Sequence, residues 1–100
     1  MGEYKVKILP AAQEDMAEIV EYLNTLSPQA ALRYYNLLVE KIKSLSDMPE
    51  RCLKPRDAQL RLRDYRFLTI ENYLVFFVII GDTVQIRRIL YGRRQYESLL

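Results

Sequence analysis

The side chains best equipped for chemistry in this chain are arginines and tyrosines gathered in its second half. Arg87 and Arg88 are consecutive, Arg93 and Arg94 follow Gly92, and Lys54, Arg56 and Arg66 lie upstream. Tyr73, Tyr91 and Tyr96 are interleaved with them. A guanidinium presents a rigid fork of donors suited to phosphate and carboxylate, and a tyrosine ring can stack on an unpaired base. Such a set fits RNA or an acidic peptide. Histidine is absent, which removes a histidine acid–base pair, a Ser-His-Asp triad and an imidazole zinc site. Three glycines and one cysteine, Cys52, exclude a Gly-rich phosphate loop, an intrachain disulfide and a zinc ribbon. No cofactor and no metal are expected. The carboxylates Glu14, Asp15, Glu18 and Glu21 read as the solvated face of a helix, and Cys52 as a free thiol in a loop.

The formal net charge of +2 conceals an asymmetry. Residues 1–50 carry five Lys/Arg against eight Asp/Glu, and residues 51–100 carry ten against five. Nine of those ten are arginine. With half its residues hydrophobic and 28% charged, the chain has ordinary globular composition. Its length suits one domain spanning residues 1–100. No apolar run approaches the roughly 18 residues of a membrane span, and Met1-Gly2-Glu3-Tyr4 lacks the apolar stretch of a signal peptide. The expectation is a cytoplasmic protein with no membrane partner.

The elements that must position these residues follow from periodicity. Tyr4 to Leu9 alternates and is rich in β-formers, so it predicts a strand. Pro10 suits the first turn of a helix, and Ala12, Met16, Ile19, Val20 and Leu23 make one apolar stripe that should end near Leu26. Ser27-Pro28 restarts the pattern as N-cap and first helical residue. Ala31, Tyr35, Leu38, Ile42 and Leu45 carry the second helix to about Asp47, giving an antiparallel helical hairpin. Pro49 to Ala58 reads as a basic loop, and Leu60 to Asp64 as loop or strand start. Three strands follow: Tyr65–Ile70, Tyr73–Ile80 (apolar on both faces, hence central) and Thr83–Tyr91, with turns at Glu71-Asn72 and Gly81-Asp82.

The expected class is α+β: an N-terminal strand, a helical hairpin, then a three-stranded antiparallel meander completing a four-stranded sheet. The first strand should lie at the sheet's edge or beside the last strand. Strict alternation along the last strand places Val84, Ile86, Arg88 and Leu90 on one face and Gln85, Arg87, Ile89 and Tyr91 on the other. Both helices should cover one face. The second face should be open or covered by a partner, with Tyr65, Arg66, Tyr73, Tyr91, Arg93 and Arg94 forming a basic, ring-bearing concave surface.

The stretch from Glu71 to Leu100 resembles the last part of the RelE/ParE superfamily, the toxins of bacterial type II toxin–antitoxin modules. It carries a tyrosine-led apolar strand, a short turn, the strand Val84-Gln85-Ile86-Arg87-Arg88, and then Gly92-Arg93-Arg94. A first strand followed by a helical hairpin is similar to the same family, so the resemblance spans the chain. It implies a growth inhibitor, of the kind linked to plasmid stabilization, with an antitoxin partner whose acidic segment folds on binding. It also implies one of two actions. ParE-like members inhibit DNA gyrase without bond chemistry; RelE-like members cleave mRNA on the ribosome. In the second case Arg94, Lys54 and Arg66 would be catalytic, stabilising the phosphorane charge and moving protons. Arg56, Tyr73, Arg87, Tyr91, Arg93 and Tyr96 would bind RNA or target. The pattern departs from the nucleases at Leu74, where they carry arginine, and at the end of the chain, where Leu100 stands and no tyrosine or histidine matches theirs. These departures favour the ParE-like action. The resemblance also admits a member that only binds its antitoxin.

Overall fold

The computed structural model describes residues 3–92 and 99–100. Strand β1 (Lys5–Ile8) leads through Leu9 into helix α1 (Pro10–Leu26). Leu9 contributes no side-chain cap, so Pro10 supplies the preset first turn. Ser27 then ends one helix and begins the next. Its N–H donates to Leu23 O at 2.8 Å, its carbonyl accepts from Ala31 N at 3.0 Å, and its Oγ accepts from Ala30 N at 3.2 Å. One residue therefore satisfies both termini and folds the pair into an antiparallel hairpin. Helix α2 (Pro28–Lys43) ends earlier than its apolar spacing suggests, tightening into a 3-10 turn over Ser44–Ser46. A second 3-10 turn, Pro49–Arg51, interrupts the basic loop.

Leu60 to Asp64 is neither loop nor strand. Residues Ala58–Leu62 form a short helix, α3, because Asp57 caps it, with Oδ1 accepting from Leu60 N at 3.0 Å. Three strands complete the chain: β2 (Arg66–Ile70), β3 (Tyr73–Ile80) and β4 (Thr83–Tyr91). The sheet order is β1-β4-β3-β2. β1 lies beside β4 as expected and runs parallel to it, while β2–β3 and β3–β4 are antiparallel. The outer edge of β2 is partly closed by the loop, where Phe67 N donates to Leu53 O at 3.0 Å.

Two cores lie on the two faces of this sheet. On the hairpin side Ala12, Met16, Leu38 and Ile42 meet Val75, Phe77, Val84, Ile86 and Ile89. On the other side Leu60 and Tyr65 meet Phe76, Val78 and Leu90, with Leu99 and Leu100 packed against them. The second face is thus only partly open, because α3 and the last two residues cover part of it.

Strict alternation along β4 also fails. Phe76 pairs with Arg88 and Phe77 with Ile86, so Arg87 is an extra residue in a β-bulge. Val84, Ile86 and Ile89 consequently share the hairpin core, while Leu90 joins the opposite one.

Beyond the bulge β4 has no strand on its outer side, because β1 stops where Leu9 N donates to Ile86 O. Asp15 of α1 takes over. Its Oδ2 accepts from Ile89 N at 2.9 Å, and its two oxygens accept from Arg88 Nε and Nη2 at 2.7 and 2.8 Å. Asp15 is therefore buried, at 8% exposure, and not part of a solvated face. Removing one partner of a buried pair leaves the other uncompensated. Asp15→Ala is expected to cost about 3 kcal/mol or more in urea unfolding, whereas Glu18→Ala, on the exposed side of α1, should change stability by less than about 0.5 kcal/mol. Equal costs would show that Asp15 is not a clamp.

Candidate functional site

Four of the cations singled out from the sequence, Lys54, Arg66, Arg87 and Arg88, are engaged by the protein's own carbonyls and carboxylates. Arg66, at the start of β2, donates from Nη1 to Cys52 O at 2.8 Å and to Glu50 O at 3.1 Å. It pins the loop that carries Lys54. The Lys54 ammonium lies 3.9 Å from Asp64. Together Glu50, Lys54, Asp64, Arg66 and Ile79 line a shallow hollow of about 210 Å³. Tyr4 donates to Glu50 across the rim of the same turn, which holds the Glu50 carboxyl below its ordinary range. Arg87, the bulge residue, donates to its neighbour Gln85 Oε1 from Nε and Nη2 at 3.2 and 2.9 Å. Arg56 stands exposed in the loop. Arg93, Arg94 and Tyr96 lie outside the described residues.

The tyrosines are elsewhere. Tyr73, the first residue of β3, packs against the hairpin core. It meets Tyr34 of α2 and Tyr91 of β4 edge to face, at ring-centroid distances of 6.0 and 5.9 Å. Burial first, and then the neighbouring tyrosines, raise the Tyr73 hydroxyl above its ordinary pKa. Tyr65 is buried in the opposite core. Tyr65 therefore does not share a surface with Arg66, Tyr73 and Tyr91, and Arg93 and Arg94, the other members of the expected concave surface, lie outside the described residues. Register puts Tyr73 and Tyr91 at one end of the sheet, and Arg66, paired with Phe77, further along it.

Tyr73 and Tyr91 instead line a cleft of about 500 Å³ with Asp15, Glu18, Ile19 and Tyr22 of α1 and Ile89 of β4. Asp15, Glu18 and Tyr22 were not candidates on sequence grounds. Their spacing with Ile19 puts all four on one strip of α1, but a strip facing a cleft looks the same in sequence as a strip facing water. A second, more apolar groove of about 640 Å³ runs between the helices, lined by Ile8, Met16, Ala17, Val20 and Tyr35 among others.

Cys52 is a free thiol in the loop, as expected, but it is buried at 8% exposure, and desolvation pushes its thiol above the usual range, against the opposing pull of Arg51 and Arg66.

The comparisons with known proteins agree with this architecture. The family model for the ParE toxin of the type II toxin–antitoxin system parDE matches residues 6–96. The chain belongs to the ParE toxin family. A solved structure from P. aeruginosa, described as a chromosomal ParDE toxin–antitoxin system, aligns with this toxin at a TM-score of 0.76 and 23% identity. The alignment covers 91% of this chain and 98% of that one, and at this identity it shows the shared fold. No curated protein sequence matches the chain. The four-stranded sheet with its helical hairpin is therefore the fold of a type II toxin, and among the described residues no helix is long and apolar enough to cross a membrane.

The role of Arg66 as a loop anchor is testable through Cys52. Arg66→Met should destabilise the protein by about 2 kcal/mol through two lost charge-assisted hydrogen bonds. It should also speed iodoacetamide modification of Cys52 at pH 8, read by mass spectrometry, because the carbonyl of Cys52 is released. An unchanged rate would leave Arg66 free for another role.

Proposed function

We propose that this ParE-family toxin acts as a binding inhibitor of DNA gyrase, breaks no bond itself, and is silenced by a cognate acidic antitoxin. The observation that supports this reading most directly is the placement of Arg66. A cation that stabilises a phosphorane must face the substrate phosphate. This one faces Glu50 O and Cys52 O. Lys54, in the same hollow, sits near Asp64, and Arg87, two strands away on β4, is turned onto Gln85. Tyr73 and Tyr91 lie at another part of the sheet, and Tyr4 is engaged by its hydroxyl with Glu50, which lines that hollow. Leu74, in place of the arginine found in the nucleases of the superfamily, belongs to the same picture: its side chain packs on the α3-side core.

The solved relative, a ParDE system, supports an antitoxin partner for this chain as well. An acidic segment would find cations to pair with along the basic second half, and folding on contact would offset part of its ordering cost.

Purified toxin added to DNA gyrase should inhibit supercoiling of relaxed plasmid, and prior addition of the antitoxin should restore it. In a reconstituted translation reaction the same toxin should leave mRNA intact. Cleaved transcripts appearing only with ribosomes would replace this reading with ribosome-dependent cleavage. No effect in either assay, with antitoxin binding retained, would mark a member that only binds its antitoxin.

A further inference from the structure

The cleft beside Tyr91 has a chemistry opposite to that of the basic half of the chain. Helix α1 contains Glu14, Asp15, Glu18 and Glu21 and no Lys or Arg. Of these, Asp15 is bonded to Arg88, whose guanidinium also feels the charges of Glu18 and Glu14 at longer range, and among the described residues no direct ion pair engages Glu18. Glu18, which is exposed, lines the same cleft as Tyr22, Tyr73 and Tyr91. Tyr22 and Tyr91 are 62% and 40% exposed, so two of the three rings are accessible from outside. Ile19 and Ile89 complete the apolar lining.

Each component selects the same kind of occupant. Ring faces carry negative quadrupole density and attract a cation placed over them. A carboxylate at the rim supplies the countercharge, and repels a phosphate. A purely apolar side chain would leave Glu18 and the tyrosine hydroxyls without gain, whereas a planar guanidinium can lie on a ring and direct its fork at a carboxylate in one pose. The same pairing already occurs within the molecule, where the Arg33 guanidinium lies 4.7 Å from the Tyr34 ring centroid and its Nη1 is 3.7 Å from Glu71. The cleft is open at its mouth, which suits one side chain reaching in from a larger surface better than an enclosed small molecule.

We propose that the cleft formed by Glu18, Tyr22, Tyr73 and Tyr91 is a docking site for an arginine side chain presented by a protein partner. The proposal does not depend on gyrase being the target, and its test reads binding rather than toxicity.

The full chain, labelled for NMR, is titrated with a capped pentapeptide carrying one central arginine, and in parallel with the same peptide carrying citrulline, the neutral isostere. The arginine peptide should shift the ring resonances of Tyr22, Tyr73 and Tyr91 saturably and bind at least about fivefold more tightly than the citrulline peptide. Glu18→Lys should abolish that preference, while Glu40→Lys, on α2, should retain it. Equal affinity for the two peptides, or shifts confined to other residues, would overturn the proposal. So would stronger perturbation of the same rings by a short RNA. If Glu18→Lys does not fold, as read by circular dichroism, the arginine–citrulline comparison on the unaltered chain decides the matter.

Discussion

The Asp15 carboxylate is the point on which the architecture turns. β1 is four residues long and pairs with only the first part of β4, so the rest of that strand would present unpaired backbone groups at the sheet's edge. A bulge at Arg87 re-aims the strand at the place where β1 ends. One side chain from α1 then caps Ile89 N–H and holds Arg88 by two hydrogen bonds. Helix, bulge and sheet edge are thereby locked into one arrangement. Arg88 Nη1 also donates to Leu99 O at 3.3 Å, so the same guanidinium reaches the last residues of the chain.

That economy recurs among the other cations. Arg66 holds the Glu50–Cys52 segment, Arg63 donates to Leu100 O at 2.6 Å, and Arg51 bonds to Ser44 Oγ at 3.2 Å. In a small domain with no disulfide, loops and terminal residues are costly to order. An arginine that meets two carbonyls fixes a loop without needing a core of its own. Among the described residues, Arg51, Arg61, Arg63, Arg66, Arg87 and Arg88 thus act as structural ties, while Arg56 stands exposed. Read as a charge total the arginine excess suggests a polyanion site; read bond by bond it describes how a long loop and the final residues are tied to the sheet.

The separation of Arg66 from the Tyr73–Tyr91 pair follows from register. β2 and β3 place Arg66 opposite Phe77, and the β3–β4 pairing places Tyr73 opposite Tyr91. Several residues of extended strand separate the two pairs, at about 3.3 Å per residue. A surface that needs a ring and a cation on one phosphate or base cannot span that distance. What forms instead is a ring cluster walled by the acidic helix. In this chain Arg66 and Lys54 lie by the loop, and Glu18 lies with the rings of Tyr22, Tyr73 and Tyr91 in a separate cleft.

Much of the fold was legible from local pattern. Pro10, Ser27-Pro28, Glu71-Asn72 and Gly81-Asp82 punctuate the chain where elements begin and turn, and the 3.6-residue and 2-residue periods between them select helix or strand. These are determined within a few residues, so the sequence by itself settled the α+β order, the helical hairpin and the central position of β3. It also carried the family resemblance of the last thirty residues. What tertiary structure alone decided depends on partners far apart in the chain. Arg87 and Arg88 differ in role because a bulge separates them, Asp15 and Glu18 differ because β4 reaches one and not the other, and Tyr65 is buried because α3 folds over it. A carboxylate facing a strand edge and one facing water have the same spacing on a helix. Only the sheet packed against them tells them apart.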